Sequence, residues 1–182
     1  MLGALIRWRI RAFERAYHYD MSYARELLDT DPSAFRKFSK VMGMARYRKD
    51  LPNEVWAAAK LVGTMAEDCG PCTQLVVTMS EQDGVNPEVL RAIVERDVDA
   101  MPEDVVLGYR YAEASIAHSP EADPLREQVI GRWGKRGLVS LAFAITTARM
   151  FPTLKYAMGE GKTCTLVTIA GKAKAVARPQ VV

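Results

Sequence analysis

The stretch that most limits how this chain can fold is Met65-Ala-Glu-Asp-Cys-Gly-Pro-Cys-Thr-Gln-Leu-Val-Val77. Two cysteines three residues apart stand where one helical apolar pattern ends and another begins. Before them, Val55, Ala58, Ala59, Val62 and Met65 form a helical stripe. After them, Cys72, Leu75, Val76 and Met79 repeat at i, i+3, i+4 and i+7, which places Cys72 on the apolar side of its helix. Gly70 and Pro71 suit a chain turning into a helix, since proline lacks an N–H that the first turn does not use. Two thiols at this spacing can close a disulfide within one helical turn, so the pair reads as a redox-active dithiol. The unpaired N–H groups and the dipole of a helix start favour thiolate. Glu67 and Asp68 oppose a second negative charge. They read either as caps of the helix start or as proton acceptor and donor for the thiols.

The remaining chain offers helices on both sides of this motif. Leu2, Ile6, Ile10, Phe13 and Tyr17 form an amphipathic stripe with Arg7, Arg11 and Arg15 on the other side. Helices are expected over Met21 to Leu28 and Ser33 to Tyr47, with Asp31 capping and Pro32 starting the second. Pro87 to Glu95 makes a short helix, and Val105, Tyr109, Ala112 and Ile116 define another. Gly134 and Gly137 bracket a break, and Leu138 to Tyr156 is expected to be the most buried helix, kinked or divided at Pro152. Cys164 to Ile169 is the one credible strand, and Val176 to Val182 reads as a tail. No strand–helix alternation appears, so the fold is all-α, with at most one short C-terminal strand. Within one domain overall, residues 1–50 read as an N-terminal helical extension, 51–160 as the core, and 161–182 as strand and tail.

Composition removes several function classes. At 182 residues the chain can form one compact domain, and three cysteines do not make a secreted disulfide framework. No signal peptide is evident, and the apolar run Leu138 to Ala148 falls short of the roughly 20 residues a span needs. A reducing cytoplasmic setting is the expectation. Charge is uneven: residues 1–50 carry 11 Lys/Arg against 6 Asp/Glu, 51–130 carry 5 against 15, and 131–182 carry 9 against 1. The basic ends are therefore expected to lie against the acidic middle, within the chain or across a subunit interface. No basic stripe with a nucleic-acid reading motif is present. The basic first helix is expected to dock on protein rather than on a membrane surface. Only Cys164 remains to complete a zinc site, and His18 and His118 lack ligand spacing and read as surface or capping residues. No metal or cofactor is expected.

Cys-Gly-Pro-Cys is also the thioredoxin tetrapeptide, but that fold places strands on both sides of it. A helix leading into Cys-x-x-Cys at the start of a second helix instead resembles the alkylhydroperoxidase-D-like branch of the carboxymuconolactone decarboxylase superfamily. The similarity runs from about Leu51 to Gly159 and takes in Trp133-Gly-x-Arg-Gly-Leu-Val-Ser-Leu141 and Arg149-x-Phe-Pro-Thr-Leu-Lys-Tyr156. The resemblance implies a trimer or hexamer with the dithiol near a subunit interface. It also implies peroxide reduction with electrons from a dithiol partner protein. In that scheme Cys72 attacks the peroxide and Cys69 resolves the sulfenic acid; the proton acceptor expected in this chain, in place of the family's relay residues, is Glu67. Where the family carries a relay His four residues after the second cysteine, this chain has Val76. At the family's inter-cysteine His it has Pro71, and at its relay Glu it has Ala57, with Glu54 one turn away. The rival reading is a non-catalytic helical oligomer whose disulfide is vestigial or redox-sensing.

Overall fold

A computed structural model describes residues 2–161 and 166–176. Cys164 and most of the expected tail lie outside the described residues. The described chain is all-α with one short hairpin: α1 (Leu2–Tyr17), α2 (Ser22–Thr30), α3 (Pro32–Ser39), α4 (Val41–Ala45), α5 (Asn53–Ala66), α6 (Gly70–Gln82), α7 (Pro87–Glu95), α8 (Glu103–Ile116), α9 (Ala122–Ala157), β1 (Leu166–Ile169) and β2 (Lys172–Ala175).

Local starts follow the expected chemistry. The Asp31 carboxylate accepts from the Ser33 N–H at 2.7 Å ahead of Pro32, and Asn86 does the same for Glu88 at 2.9 Å ahead of Pro87. The segment expected as one helix from Ser33 to Tyr47 is two, divided at Lys40, whose N–H bonds back to Lys37 and Phe38 in a tightened last turn.

Helix α5 is the axis of the core, packed against α6, α7, α8 and α9. Its stripe is built from small residues, with Ala57, Ala58, Ala59 and Gly63 all buried, and that lets neighbouring backbones come close. A Cβ at Gly63 would stand 2.8 Å from the Ala148 Cβ, and one at Gly108 of α8 would stand 2.6 Å from a Val55 methyl. The place expected for Leu138 to Tyr156 as the most buried helix therefore belongs to α5. α9 buries Val129, Leu141, Ala144 and Ile145 but leaves Val139 and Met150 exposed. It is long and apolar enough to cross a membrane by composition, yet 44% of its most apolar window is buried within the fold. The break in α9 falls at Gly134 alone, where φ 69° and ψ 176° are accessible to glycine. The backbone stays helical across Pro152.

The strand expected to end at Ile169 gains a partner the sequence did not advertise. Lys172-Ala-Lys-Ala175 pairs antiparallel with β1 through a turn in which Ala170 and Gly171 both have positive φ. The Gln74 amide of α6 then acts as a third rung, accepting from Thr168 N–H at 2.6 Å and donating to its carbonyl at 3.0 Å. Val167 and Ile169 are buried beneath.

The charge asymmetry is met partly within the chain. Acidic residues of the middle pair with basic residues of the end: Glu67 with Arg149 at 2.6 Å, Asp104 with Arg132 at 2.8 Å, and Glu95 with Lys174 at 2.7 Å. The basic N-terminal helices pair mostly among themselves, as in Arg7–Asp29 and Arg25–Glu14. They dock through an aromatic cluster: Tyr19 and Tyr23 with Phe13, Phe35 and Phe38, closing against Leu75 of α6 and Leu154 of α9. Phe38 also meets Phe151 edge-on at 5.5 Å.

Candidate functional site

The cysteine motif is placed by how α5 ends. Glu67 caps α5, and Asp68 then takes φ 49°, a left-handed turn that aspartate tolerates better than most residues. That reversal sets Cys69 in extended conformation as the residue before α6, with Gly70 and Pro71 in its first turn. Two buried threonines fix the joint. Thr64 donates to the Leu61 carbonyl at 3.1 Å, while the Thr73 hydroxyl sits 3.2 Å from Thr64 Oγ1 and 3.1 Å from the Cys69 carbonyl. Cys69 and Cys72 form a disulfide with their Cα atoms 5.3 Å apart, and both residues are buried.

Two groups that the sequence reading did not single out converge on this disulfide. The Tyr19 hydroxyl, from the turn after α1, lies 3.6 Å from Cys72 Sγ. Behind it, the buried Lys155 of α9 donates to the Tyr19 oxygen at 3.4 Å, with its ammonium 4.7 Å from the Tyr19 ring centroid and 5.6 Å from that of Tyr23. Burial pushes the Tyr19 phenol well above its ordinary range, and the neighbouring Tyr23 adds to the effect. Tyr23, also buried, is pushed up to about 12. Tyr19 therefore stays protonated at any working pH. It has one hydroxyl proton and two neighbours able to accept it, the Tyr23 oxygen and Cys72 Sγ. A neutral disulfide sulfur is a weak acceptor and a thiolate a strong one, so reduction of the pair favours turning that proton onto Cys72. Lys155 was discoverable from sequence: it falls on the same face of α9 as Leu141, Ala144, Ile145, Ala148 and Pro152, where a charge is costly without a reason. Tyr19 lay in what reads as an extension.

The other expected participants are placed as follows. The Glu67 carboxylate takes Arg149 Nε at 2.6 Å and the Thr153 hydroxyl at 3.3 Å, so both oxygens face α9. Val76, one turn after Cys72, is buried and lines the cavity described next. His18 and His118 are exposed residues with φ 49° and 52°, each in the turn that ends a helix. No group of three or more His, Cys, Asp or Glu converges on a metal-sized site among the described residues.

Cys72 opens onto a cavity of about 1030 Å³ between the N-terminal helices and the α5–α6 face. Its walls are apolar near the sulfur, with Leu75, Val76 and Met79 of α6 facing Ile10 and Phe13 of α1. Its far end is polar, where Trp56 and Lys60 of α5 meet Arg46 and Asp83. Burial holds Lys60 down to about 8, with Asp83 raising it and Arg48 and Arg46 lowering it further.

Comparison with protein-family models, with characterised proteins and with solved structures finds no match to this chain.

Proposed function

We propose that the protein is a dithiol–disulfide oxidoreductase of the alkylhydroperoxidase-D-like kind, reducing a peroxide at Cys72 and regenerated by a dithiol partner protein. The supporting observation is a buried Cys69–Cys72 disulfide whose second sulfur faces both a 1030 Å³ cavity and the Tyr19 hydroxyl. In the reduced protein the Cys72 thiolate attacks the terminal peroxide oxygen. The O–O bond breaks, the sulfur becomes a sulfenic acid, and the departing alkoxide takes a proton from Tyr19, which Lys155 replenishes. The Cys69 thiol then attacks the sulfenic sulfur as its proton passes to the sulfenic oxygen, so the S–O bond breaks, the S–S bond forms and water leaves. One peroxide and two thiols give one alcohol, one water and one disulfide. The external dithiol reduces the disulfide and restores the start. Val76 offers no proton relay on α6, so Tyr19 and Lys155 supply it from the N-terminal segment and α9. A reducing cytoplasm fits a disulfide that must be reopened each cycle.

Trimer or hexamer assembly is part of the same proposal. It is supported by the exposed α9 face carrying Val139, Ala142, Thr146 and Met150 at helical spacing. The rival, a redox-sensing disulfide in a non-catalytic oligomer, draws on the burial of both sulfurs. Peroxide consumption by the dithiol-reduced protein separates the two. The wild type should turn over with the dithiol, and Cys72→Ser should not. Stoichiometric oxidation without turnover would leave the sensor reading.

A further inference from the structure

The two ends of the cavity differ in chemistry, and the difference describes a ligand. Along α5, Trp56, Lys60 and Thr64 line the cavity one turn apart, and Thr64 adjoins the cysteine joint. Along α6 the lining runs from Cys72 to Asp83, about 16 Å at 1.5 Å per residue. Between these limits α6 contributes Leu75, Val76 and Met79 together with Ser80 and Gln82, facing Ile6, Ile10 and Phe13 of α1, while Arg7, Arg9 and Arg36 also line the cavity. Beyond Trp56 a second cavity of about 220 Å³, lined by Arg46, Arg48, Trp56 and Asp83, abuts the first and shares three of those residues with it.

Three cations gather there around one carboxylate. The Lys60 ammonium sits 3.6 Å from the Trp56 ring centroid, and the Arg48 guanidinium lies 5.5 Å from the same ring. Arg46, Arg48 and Lys60 make no ion pair within 4 Å among the described residues, and Asp83 is the one acid lining either cavity. The Trp56 indole N–H is buried and has no hydrogen-bond acceptor. An orphaned buried donor beside a cation surplus, at one end of the cavity, lacks an anionic oxygen. Arg46, Arg48 and Lys60 against Asp83 leave an excess of two positive charges, so this end attracts an anionic head group.

We propose that this cavity binds one long-chain carboxylate, its head group held by Lys60, Arg48, Arg46 and the Trp56 N–H, and its alkyl chain lying between α1 and the α5–α6 face toward Cys72. Given the oxidoreductase reading above, on which this consequence alone rests, the peroxide group is carried part-way along such a chain, where it reaches the sulfur. The carboxylate fixes the distance and the apolar wall excludes water from the reacting end.

The test uses the full chain in its oxidised form, with no peroxide and no reductant, so that failure of the redox chemistry cannot imitate failure of binding. Isothermal titration calorimetry compares palmitate, hexadecanol and hexadecyltrimethylammonium. Palmitate should bind at one site per chain. Hexadecanol should bind about ten- to a hundredfold more weakly, the loss expected for one charge-assisted hydrogen bond, and the cationic amphiphile should not bind. Lys60→Met and Arg48→Met, each checked for unchanged helix content, should weaken palmitate by a similar factor and leave hexadecanol unchanged. Absence of saturable palmitate binding, equal affinity for palmitate and hexadecanol, or palmitate binding untouched by both substitutions would each overturn the proposal. Palmitate binding without any peroxide turnover would uphold the site and refute the enzyme.

Discussion

Replacing Tyr19 by phenylalanine removes one oxygen and keeps the ring that packs in the aromatic cluster. In the disulfide form that oxygen lies 3.6 Å from Cys72 Sγ, with Lys155 behind it at 3.4 Å, and on reduction its proton is placed to be donated to the Cys72 thiolate. A hydrogen bond to a charged group contributes about 1.5–3 kcal/mol. At about 1.4 kcal/mol per pKa unit, its loss should raise the Cys72 thiol by roughly 1–2 units. Iodoacetamide alkylation against pH reads this directly, in a Cys69→Ser, Cys164→Ser background where Cys72 is the reporter. The midpoint of the Tyr19→Phe profile should move up by about that amount, and below the midpoint alkylation should slow by about ten- to a hundredfold. Lys155→Met should shift the profile in the same direction, because it takes the cation from behind the donor. Tyr19→Phe also deprives the buried Lys155 ammonium of one acceptor, so a stability loss of about 1–3 kcal/mol is expected, and far-UV circular dichroism must show the fold retained. A Tyr19→Phe profile superimposed on that of the parent would refute the relay, whatever the effect on stability.

Three further outcomes follow from packing and charge. Gly63→Ala places its Cβ 2.8 Å from Ala148 Cβ and 3.2 Å from the Ile145 carbonyl oxygen, which is backbone and cannot swing away; a loss of about 1–3 kcal/mol should appear in the urea midpoint, and an unmoved midpoint would disprove the close α5–α9 crossing. Glu67→Gln breaks a partly exposed ion pair with Arg149, so it should lower stability by no more than about 1 kcal/mol and leave the Cys72 alkylation profile in place; a displaced profile would make Glu67 the base. Lys60 is held near 8 in the folded chain against an ordinary 10.5, so the unfolded chain binds more protons between those values. The stability of the wild type relative to Lys60→Met should therefore rise with pH from about 8 to 10.5, by about 1–3 kcal/mol, the opposing contribution of the raised Tyr19 and Tyr23 phenols cancelling in the difference; a difference that stays constant across the window would refute the burial of that ammonium.

The helical architecture was legible because the apolar spacing is dictated locally: α5, α6 and α7 start at caps and prolines visible in the sequence, and their stripes point at the same core. What the stripe could not rank was burial. Leu138 to Ala148 is more apolar than α5, yet the small residues Ala57, Ala58, Ala59 and Gly63 let neighbours approach α5 from several sides, and close approach is a property of pairs of helices. β2 escaped notice because Lys-Ala-Lys-Ala has little strand propensity of its own; its place comes from pairing with β1. The disulfide was legible as spacing. Its surroundings were not, since Tyr19 and Lys155 lie 136 positions apart and meet only through the docking of the N-terminal helices.

That docking bears on how the site can work at all. A thiol on α6 beside Leu75 and Val76 has an apolar neighbourhood, which raises the energy of its thiolate. The helix start contributes a compensating dipole, but the acidic pair Glu67 and Asp68 stands just ahead of it, and Glu67 is already neutralised by Arg149. Lys155 brings positive charge toward Cys72 through Tyr19. Residues before α5 consequently supply both the hydroxyl that faces the sulfur and, through Ile10 and Phe13, the roof of the cavity from which a substrate would approach it. A chain whose N-terminal helices were undocked would keep its disulfide geometry, fixed by Thr64 and Thr73 within the core, and would lose the donor and the dry enclosure together. In the proposed reading, the donor and the enclosure therefore arrive together when the N-terminal helices dock.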